Sequence, residues 1–365
     1  MKTHTMKKKL LAGVLALAVA AGTAVPGQAL YAADTESLLP AATNTSFASA
    51  RELSFDTSIA ENMSKDDNVR YYKFSVADAS ELIVRGSFKG YYLKISIYDA
   101  DNTEIYTYHQ DSLSSQYSES IYVTGGDYYL KMETGGDISF VATRNSLQES
   151  FKETQDNNND TLSNASPIEL KKKYKGVLAS NDDIDYYKFS VPSVGKVNFN
   201  LTNATDGNLK YAIYDNSTNM VASDEVYSNQ KGTKEIKLTA GSYYLAVTKA
   251  DSNRGGVGSY NFNMDFIALS LKAPAIKNLK AYYYDGMQFS WNKISDADGY
   301  QIQYCKSSKF KSGVKKDTKS ENDTYAAYSG LSHGKKYYVR IRAYANVQGT
   351  TKYSKWSKVK VVKIK

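Results

Sequence analysis

The sequence predicts an all-β protein made of two copies of one sheet-rich domain followed by a third domain of different pattern. Three observations predict it. A tyrosine-bearing run, DDNVRYYKFSV from Asp66 to Val76, recurs as DDIDYYKFSV from Asp182 to Val191, so that Tyr72 and Tyr187 stand 115 residues apart. That spacing is too long for a solenoid repeat and right for a duplicated domain. Aromatic residues make up 13% of the 365, with 32 tyrosines against 5 prolines, a composition of antiparallel sheet rather than of disorder. Helical periodicity is scarce beyond the N-terminus.

The chain begins with an export signature. Lys7-Lys8-Lys9 precedes an apolar run from Leu10 to Val25, and small residues follow around Gln28-Ala29 and Ala32-Ala33. Residues 1–33 are therefore expected to be a signal peptide, cleaved between Ala29 and Ala33. The apolar run is short for a membrane span, and no second candidate exists. No cysteine follows it to carry a lipid, and Lys358 to Lys365 lacks the apolar tail of covalent wall sorting. The expected location is secreted, released or held at the cell surface without a covalent link.

The first repeat is expected over 34–146, a polar linker over 147–158 and the second repeat over 159–270. Landmarks keep step: Gly126-Asp127-Tyr128-Tyr129-Leu130 answers Gly241-Ser242-Tyr243-Tyr244-Leu245, and Ile97-Tyr98-Asp99 answers Ile213-Tyr214-Asp215. Strand segments such as Leu93 to Tyr98 and Tyr243 to Thr248 are separated by turn formers such as Gly125-Gly126. Within the repeated run, period-2 alternation points Tyr187, Phe189 and Val191 inward and Tyr186, Lys188 and Ser190 outward. Each buried side chain contributes roughly 1.5 to 3 kcal/mol, enough for such a sheet to hold together without disulfides. The lone Cys305 excludes a disulfide framework. With only His4, His109 and His333 for company it builds no zinc site.

Asn159-Asp160-Thr161, Ala165-Ser166-Pro167-Ile168, Gly176-Val177-Leu178, Asp182 to Val191 and Ala240 to Val247 resemble the bacterial pre-peptidase C-terminal domain, a family that includes the collagen-binding domains of clostridial collagenases. The resemblance covers nearly all of the second repeat and, more weakly, the first. It implies jelly-roll-like β-sandwiches that accompany secreted enzymes without being catalytic. After Ala273-Pro274 the pattern changes. Trp291, the run Tyr300 to Tyr304, Leu331 to Tyr337, Val339 to Tyr344 and Tyr353-Ser354-Lys355-Trp356-Ser357 resemble a fibronectin type III domain, an immunoglobulin-like β-sandwich, over 275–365. Trp291 reads as a core plug between two sheets, and Tyr337 as a tyrosine corner. No RGD tripeptide is present to suggest integrin binding.

Charge is unevenly spread. The net charge of +8 divides into +4 for residues 1–33, −9 for 34–150, −1 for 151–270 and +14 for 271–365. A basic tail on an exported protein suits anionic surface polymers, and no nucleic-acid motif accompanies it.

In the collagen-binding relatives an acidic linker, E-x-E-x-N-D, joins a later D-x-x-D to hold calcium. The resemblance implies Asn159, Asp160, Asp182 and Asp185 as ligands here, with Gln155 and Asn157 where the family has its glutamates. Three carboxylates instead of five should weaken Ca²⁺ affinity to ~10⁻³ M. The same residues also read as turn formers in a solvated loop. The first repeat offers Asn44, Thr45, Asp67 and Arg70 in the matching places, and the arginine argues against metal there, so calcium is expected in the second repeat only. The outward tyrosines Tyr71, Tyr129, Tyr186 and Tyr244 form a candidate ligand surface, or pack on their own sheet. Outward Arg340 and Arg342 on the strand from Tyr337 to Tyr344 form a candidate anion-binding face, or an ordinary solvated one.

No serine, cysteine or histidine constellation, H-E-x-x-H or phosphate loop appears, so no catalytic residue is assigned. The reading is a non-catalytic adhesion protein, expected to be a monomer, for extracellular matrix of collagen-like kind or for anionic or neutral surface polysaccharide. The rival reading is an accessory subunit that docks beside a secreted hydrolase.

Overall fold

The computed structural model describes residues 44–111, 114–154, 157–250 and 255–365. The expected signal peptide lies outside them. Among the described residues every regular element is a β-strand apart from two short 3₁₀ turns, Phe47–Ser49 and Leu162–Asn164.

The first repeat contains β1 (Arg51–Glu52), β2 (Ser58–Glu61), β3 (Val69–Val76), β4 (Ser80–Lys89), β5 (Tyr92–Asp99), β6 (Glu104–Asp111), β7 (Ser114–Val123), β8 (Gly126–Thr134) and β9 (Ile138–Ser146). They form two sheets, ordered β1-β3-β8-β5-β6 and β2-β9-β4-β7. The second repeat contains β10 (Ser166–Pro167), β11 (Lys173–Leu178), β12 (Ile184–Val191), β13 (Gly195–Thr205), β14 (Leu209–Asp215), β15 (Met220–Val226), β16 (Lys231–Leu238), β17 (Gly241–Lys249) and β18 (Gly258–Ala268). Its sheets are β10-β12-β17-β14-β15 and β11-β18-β13-β16, the same order strand for strand. The duplication extends to register. Parallel pairing sets Arg51 opposite Tyr72 in one copy and Ser166 opposite Tyr187 in the other.

The repeated run behaves as its alternation requires: Tyr72, Phe74 and Val76 on β3, and Tyr187, Phe189 and Val191 on β12, are all buried. Each copy closes its own core, around Leu82, Ile95, Leu130 and Phe140 in the first and Phe199, Ile213, Leu245 and Phe262 in the second. Strands β6 and β15 carry little apolar alternation and were not legible as strands. His109 lies on β6, where it stacks on Tyr92 and sits 2.9 Å from Asp111.

The third sandwich contains β19 (Lys277–Tyr282), β20 (Gly286–Ser290), β21 (Gly299–Cys305), β22 (Lys315–Ser320), β23 (Tyr325–Tyr328), β24 (Lys336–Val347), β25 (Thr350–Tyr353) and β26 (Lys360–Lys363). One sheet is β19-β20-β23; the other is β22-β21-β24-β25, with β26 also paired to β24. Trp291, Phe289, Tyr300, Ile302 and Ile341 meet between them. The phenol of Tyr337 accepts a hydrogen bond from the Ser332 amide at 3.1 Å, which ties the preceding loop to its strand.

Neighbouring sandwiches are joined by a recurring device. At the end of each repeat a threonine and the tyrosine four residues on bond to one another: Tyr128 donates to the Thr124 carbonyl at 3.0 Å, and Tyr243 to that of Thr239 at 3.2 Å. A side-chain amide of the next sandwich enters each pair. Asn181 donates to Thr124 Oγ1 at 3.2 Å, and the Gln348 carbonyl oxygen accepts from Tyr243 at 2.9 Å and from the Thr239 amide at 2.9 Å. Leu269, Ala345 and Val347 make a small apolar cluster beside the second junction. Lys237 pairs with Asp298 at 3.2 Å and Lys196 pairs with Asp296. The segment expected as a linker is tied to both repeats: the Leu147 amide bonds Ala79, the Ser150 amide bonds Lys175, and the Glu153 carbonyl accepts from the Gly125 amide at 3.0 Å.

Candidate metal centre

Strand parity decides which side chains reach the interior of the second repeat. On β12 the positions in phase with Tyr187 face inward, and two residues before it that phase turns Asp185 into the core. Asp185 is fully buried. Its Oδ2 accepts from the phenol of Tyr260, which in turn shares a 2.7 Å hydrogen bond with the Tyr187 hydroxyl. Asp182, in the turn before β12, is buried as well, and its Oδ1 accepts from the Ile184 amide at 3.2 Å.

A second segment closes on these two. Glu153 and Asn159 are buried, and the Asn159 carbonyl is held by the Tyr186 amide at 2.9 Å. Asp160, half-buried, sits close enough to Asp182 for the two carboxyls to interact. Five side-chain oxygens are buried without any hydrogen-bond partner: Glu153 Oε2, Asn159 Oδ1, Asp160 Oδ1, Asp182 Oδ2 and Asp185 Oδ1. Each unpaired buried acceptor costs about 1–3 kcal/mol. Glu153, Asp182 and Asp185 offer oxygens that all lie within 4.8 Å of one another. Oxygens 2.3–2.6 Å from one calcium ion are at most about 5 Å apart, so that spacing fits a shared cation.

Electrostatics point the same way. Burial first, and then the Asp182 carboxyl, push Glu153 up to about 8. Burial and the neighbouring acids raise Asp182 and Asp185 well above the usual carboxylate range, and burial raises Asp160. The nearby Lys249 ammonium is held by the Ala179 carbonyl and Asp183, each at 2.8 Å. The donors are all oxygen, with no imidazole or thiolate, which suits a hard cation such as Ca²⁺ rather than zinc.

Glu153 is the member of this acidic cluster that the sequence pattern did not indicate. The family's glutamates were matched to Gln155, which lies outside the described residues, and to Asn157, which is exposed and pairs its backbone with Thr154. The chain reaches the cluster two residues earlier, because the Glu153 carbonyl is fixed to Gly125 and its side chain is thereby turned inward. The centre therefore has four carboxylates where three were expected.

The first repeat answers each of these residues differently. Arg70, in the place of Asp185, is buried, and all five of its N–H donors are used. Nε reaches Glu61 at 3.2 Å; Nη1 reaches Asp67 at 2.7 Å and the Val69 carbonyl at 2.8 Å; Nη2 reaches Asp67 at 2.8 Å and the Asn62 carbonyl at 3.0 Å. Tyr72 donates to Glu61 at 2.6 Å. In β-pairing Glu61 stands opposite Ile138, whereas in the second repeat Gly176 stands opposite Tyr260. A Cβ at Gly176 would lie 2.4 Å from the Tyr260 phenol, so the glycine makes room for that ring.

The candidate ligand tyrosines are half-buried. In the first repeat Phe47 covers them, with ring centroids 4.7 Å from Tyr71, 5.1 Å from Tyr129 and 5.1 Å from Tyr98. In the second repeat the equivalent turn begins with Leu162. There the Lys188 ammonium lies over the Tyr244 ring at 5.4 Å, and Tyr186 is half-buried beside it on β12.

The family model for the fibronectin type III domain matches residues 274–360. The third sandwich is a fibronectin type III domain. Solved structures similar to parts of the chain include the pre-peptidase C-terminal domain of a collagenase from Bacillus anthracis, 25% identical over 28% of this chain and 94% of its own, with a TM-score of 0.25. Others are an Fn3-like protein from Clostridium thermocellum (15% identity, 26% and 94% coverage, TM-score 0.22) and the FN5 domain of Drosophila Lar (20% identity, 26% and 95% coverage, TM-score 0.21).

Within the fibronectin type III domain, Arg340 and Arg342 do face away from the core, but aromatic rings cover them. The Arg340 guanidinium lies over Phe310 at 4.2 Å and Trp356 at 4.3 Å; that of Arg342 lies over Tyr353 at 3.6 Å and Trp356 at 4.5 Å. Gln303 and Gln301 accept from their edges. Ser354 and Ser357 hold Trp356 in place by accepting from the Ala343 and Ile341 amides at 2.9 and 3.1 Å. The two arginines thus form part of a packed ladder.

Proposed function

We propose that the chain is an exported, non-catalytic binding protein for collagen-like matrix or surface polysaccharide, and that its second repeat holds one calcium ion. Glu153, Asn159, Asp160, Asp182 and Asp185 would hold that ion. The observation that supports the site is the set of five buried oxygens without partners, four of them on carboxylates. The ion would neutralise buried charge and fix the segment from Glu153 to Asp160 against β12; it supplies no reaction chemistry in this reading. Export is supported by the N-terminal signature of Lys7 to Ala33.

Calcium should raise the melting temperature of the processed chain and magnesium should do so far less, because Mg²⁺ demands near-ideal octahedral geometry. Equal melting curves in 10 mM CaCl₂ and 10 mM MgCl₂ would remove the site. Retention on collagen, chitin, cellulose or cell-wall preparations tests the binding role. Failure on all of them, with a hydrolase co-purifying, would replace it by the accessory-subunit reading.

A further inference from the structure

We infer that the β19-β20-β23 face of the fibronectin type III domain is a binding site for an acidic polysaccharide built of pyranose rings. Seven tyrosines are exposed among the described residues, and four of them, Tyr282, Tyr283, Tyr284 and Tyr325, belong to this one small sheet and its hairpin. Tyr283 and Tyr284 are 70% and 84% exposed. Large aromatics left this open on one patch point to an interaction surface.

The register lays out the face. Lys277, Ser290 and Tyr325 stand in one row across the three strands, Lys280, Gln288 and Ala327 in the next, and Tyr282 at the end beside the hairpin. Rows two residues apart are about 7 Å apart along a strand. Ala327 leaves a shallow place between the two tyrosine rows, and Gln288 braces the floor by accepting from the Tyr325 hydroxyl at 3.1 Å. The tip is held in place: Asp285 accepts from the Gly330 amide at 2.9 Å and from the Leu331 amide at 2.7 Å. Tyr283 takes a φ of 49°, a conformation that L-residues rarely adopt and that glycine would take without strain. The hairpin thus presents an aromatic ring at a position where a small residue would cost less.

Charge selects the ligand class. No aspartate or glutamate occurs in any of the three strands, while Lys277 and Lys280 lie along β19. Among the described residues neither lysine is in an ion pair; Lys277 reaches only the Asn292 amide oxygen, at 2.9 Å. The whole region from 271 to 365 carries +14. Flat tyrosine rings offer their faces to the C–H groups of a sugar ring and their hydroxyls to its oxygens, and the lysines meet its carboxylates. The Arg340–Arg342 ladder, on the other sheet, has its cations already covered.

This inference rests on the reading of the chain as a binding protein and is separable from it. The test is affinity electrophoresis of the processed chain through gels containing polygalacturonate, dextran or neither, with anionic and neutral lipid vesicles in a parallel flotation assay. Retardation by polygalacturonate alone is expected. Tyr282→Ala with Tyr325→Ala should weaken it at least tenfold with an unchanged melting temperature, and Lys280→Ala should weaken it less and flatten its salt dependence. Equal retardation by dextran, loss of binding on Arg340→Ala but not on the tyrosine changes, or binding to anionic vesicles only would each overturn it. Retention on matrix or cell wall that survives the tyrosine changes would leave the broader binding role standing and this face without it.

Discussion

Two positions 115 residues apart, Arg70 and Asp185, occupy the same inward place on the same strand of the same fold, and they solve one electrostatic problem in opposite ways. In the first repeat a covalently attached cation fills the space between the strand and the turn before it, and every donor it owns is answered by Glu61, Asp67 or a carbonyl. In the second, the same space is ringed by acids whose buried oxygens lack partners. The surroundings have adjusted with the charge: Glu61 stands opposite Ile138 in one copy, and Gly176 makes room for the ring of Tyr260 in the other. Duplication has kept the frame and left its charged corner free to diverge. One copy closes by itself, and the other, on the reading proposed above, is completed by a calcium ion.

The largest break in that comparison should come from Arg70→Ala. Removing the guanidinium leaves Glu61 buried against Arg51 and Tyr72 alone, and the expected loss is about 3–5 kcal/mol. Hydrogen exchange of the β3 amides would read it without interference from the other sandwiches; a loss below about 1 kcal/mol would mean the two corners are not alternatives. Next is Asp185→Asn. It should abolish the calcium stabilisation of β12, about 1.4 kcal/mol when free calcium is ten times the dissociation constant. In chelator it should make the second repeat more stable than the native chain, because the buried carboxyl no longer has to take up a proton or face like charge on folding. A merely structural aspartate would predict a loss in both conditions.

The smallest effect is one of sign with pH. Arg70 hydrogen-bonds Asp67 and lowers its pKa, so its contribution to the first repeat is present above the unfolded value and is lost as pH falls. Glu153, Asp182 and Asp185 are raised, so without calcium the folded second repeat holds protons that the unfolded chain gives up. Its stability should then decline as pH rises from about 4.5 through about 8. Melting followed separately for β3 and β12 in chelator should show β12 losing stability between pH 5 and 8 while β3 stays level there and weakens only below about pH 4. Calcium should erase the β12 slope.

Much of this was readable in the chain. The repeat distance, the alternation in YYKFSV and the tryptophan plug are local patterns, and each became the element it indicated. The phase of β12 even placed Asp185 inside, since it lies two residues before Tyr187. Glu153 was not legible, because its burial depends on a carbonyl bond to Gly125, in the other repeat. The covering of Tyr71 and Tyr129 by Phe47, and of Arg340 and Arg342 by Phe310, Tyr353 and Trp356, was hidden for the same reason. Strand parity tells which side chains leave the core, but not what distant segment folds over them.

The Thr–Tyr pairs that end the two repeats are alike, but what flanks them is not. Lys196 and Lys237 stand beside the second and pair with Asp296 and Asp298; the residues 115 positions earlier are Glu81 and Tyr122. A chain with its middle sandwich excised would therefore set Asp296 against Glu81 and forfeit both ion pairs. The two hydroxyl seats share a pattern, whereas the matching lysines stand at one of them only, so the charge that the final domain meets differs between the two seats.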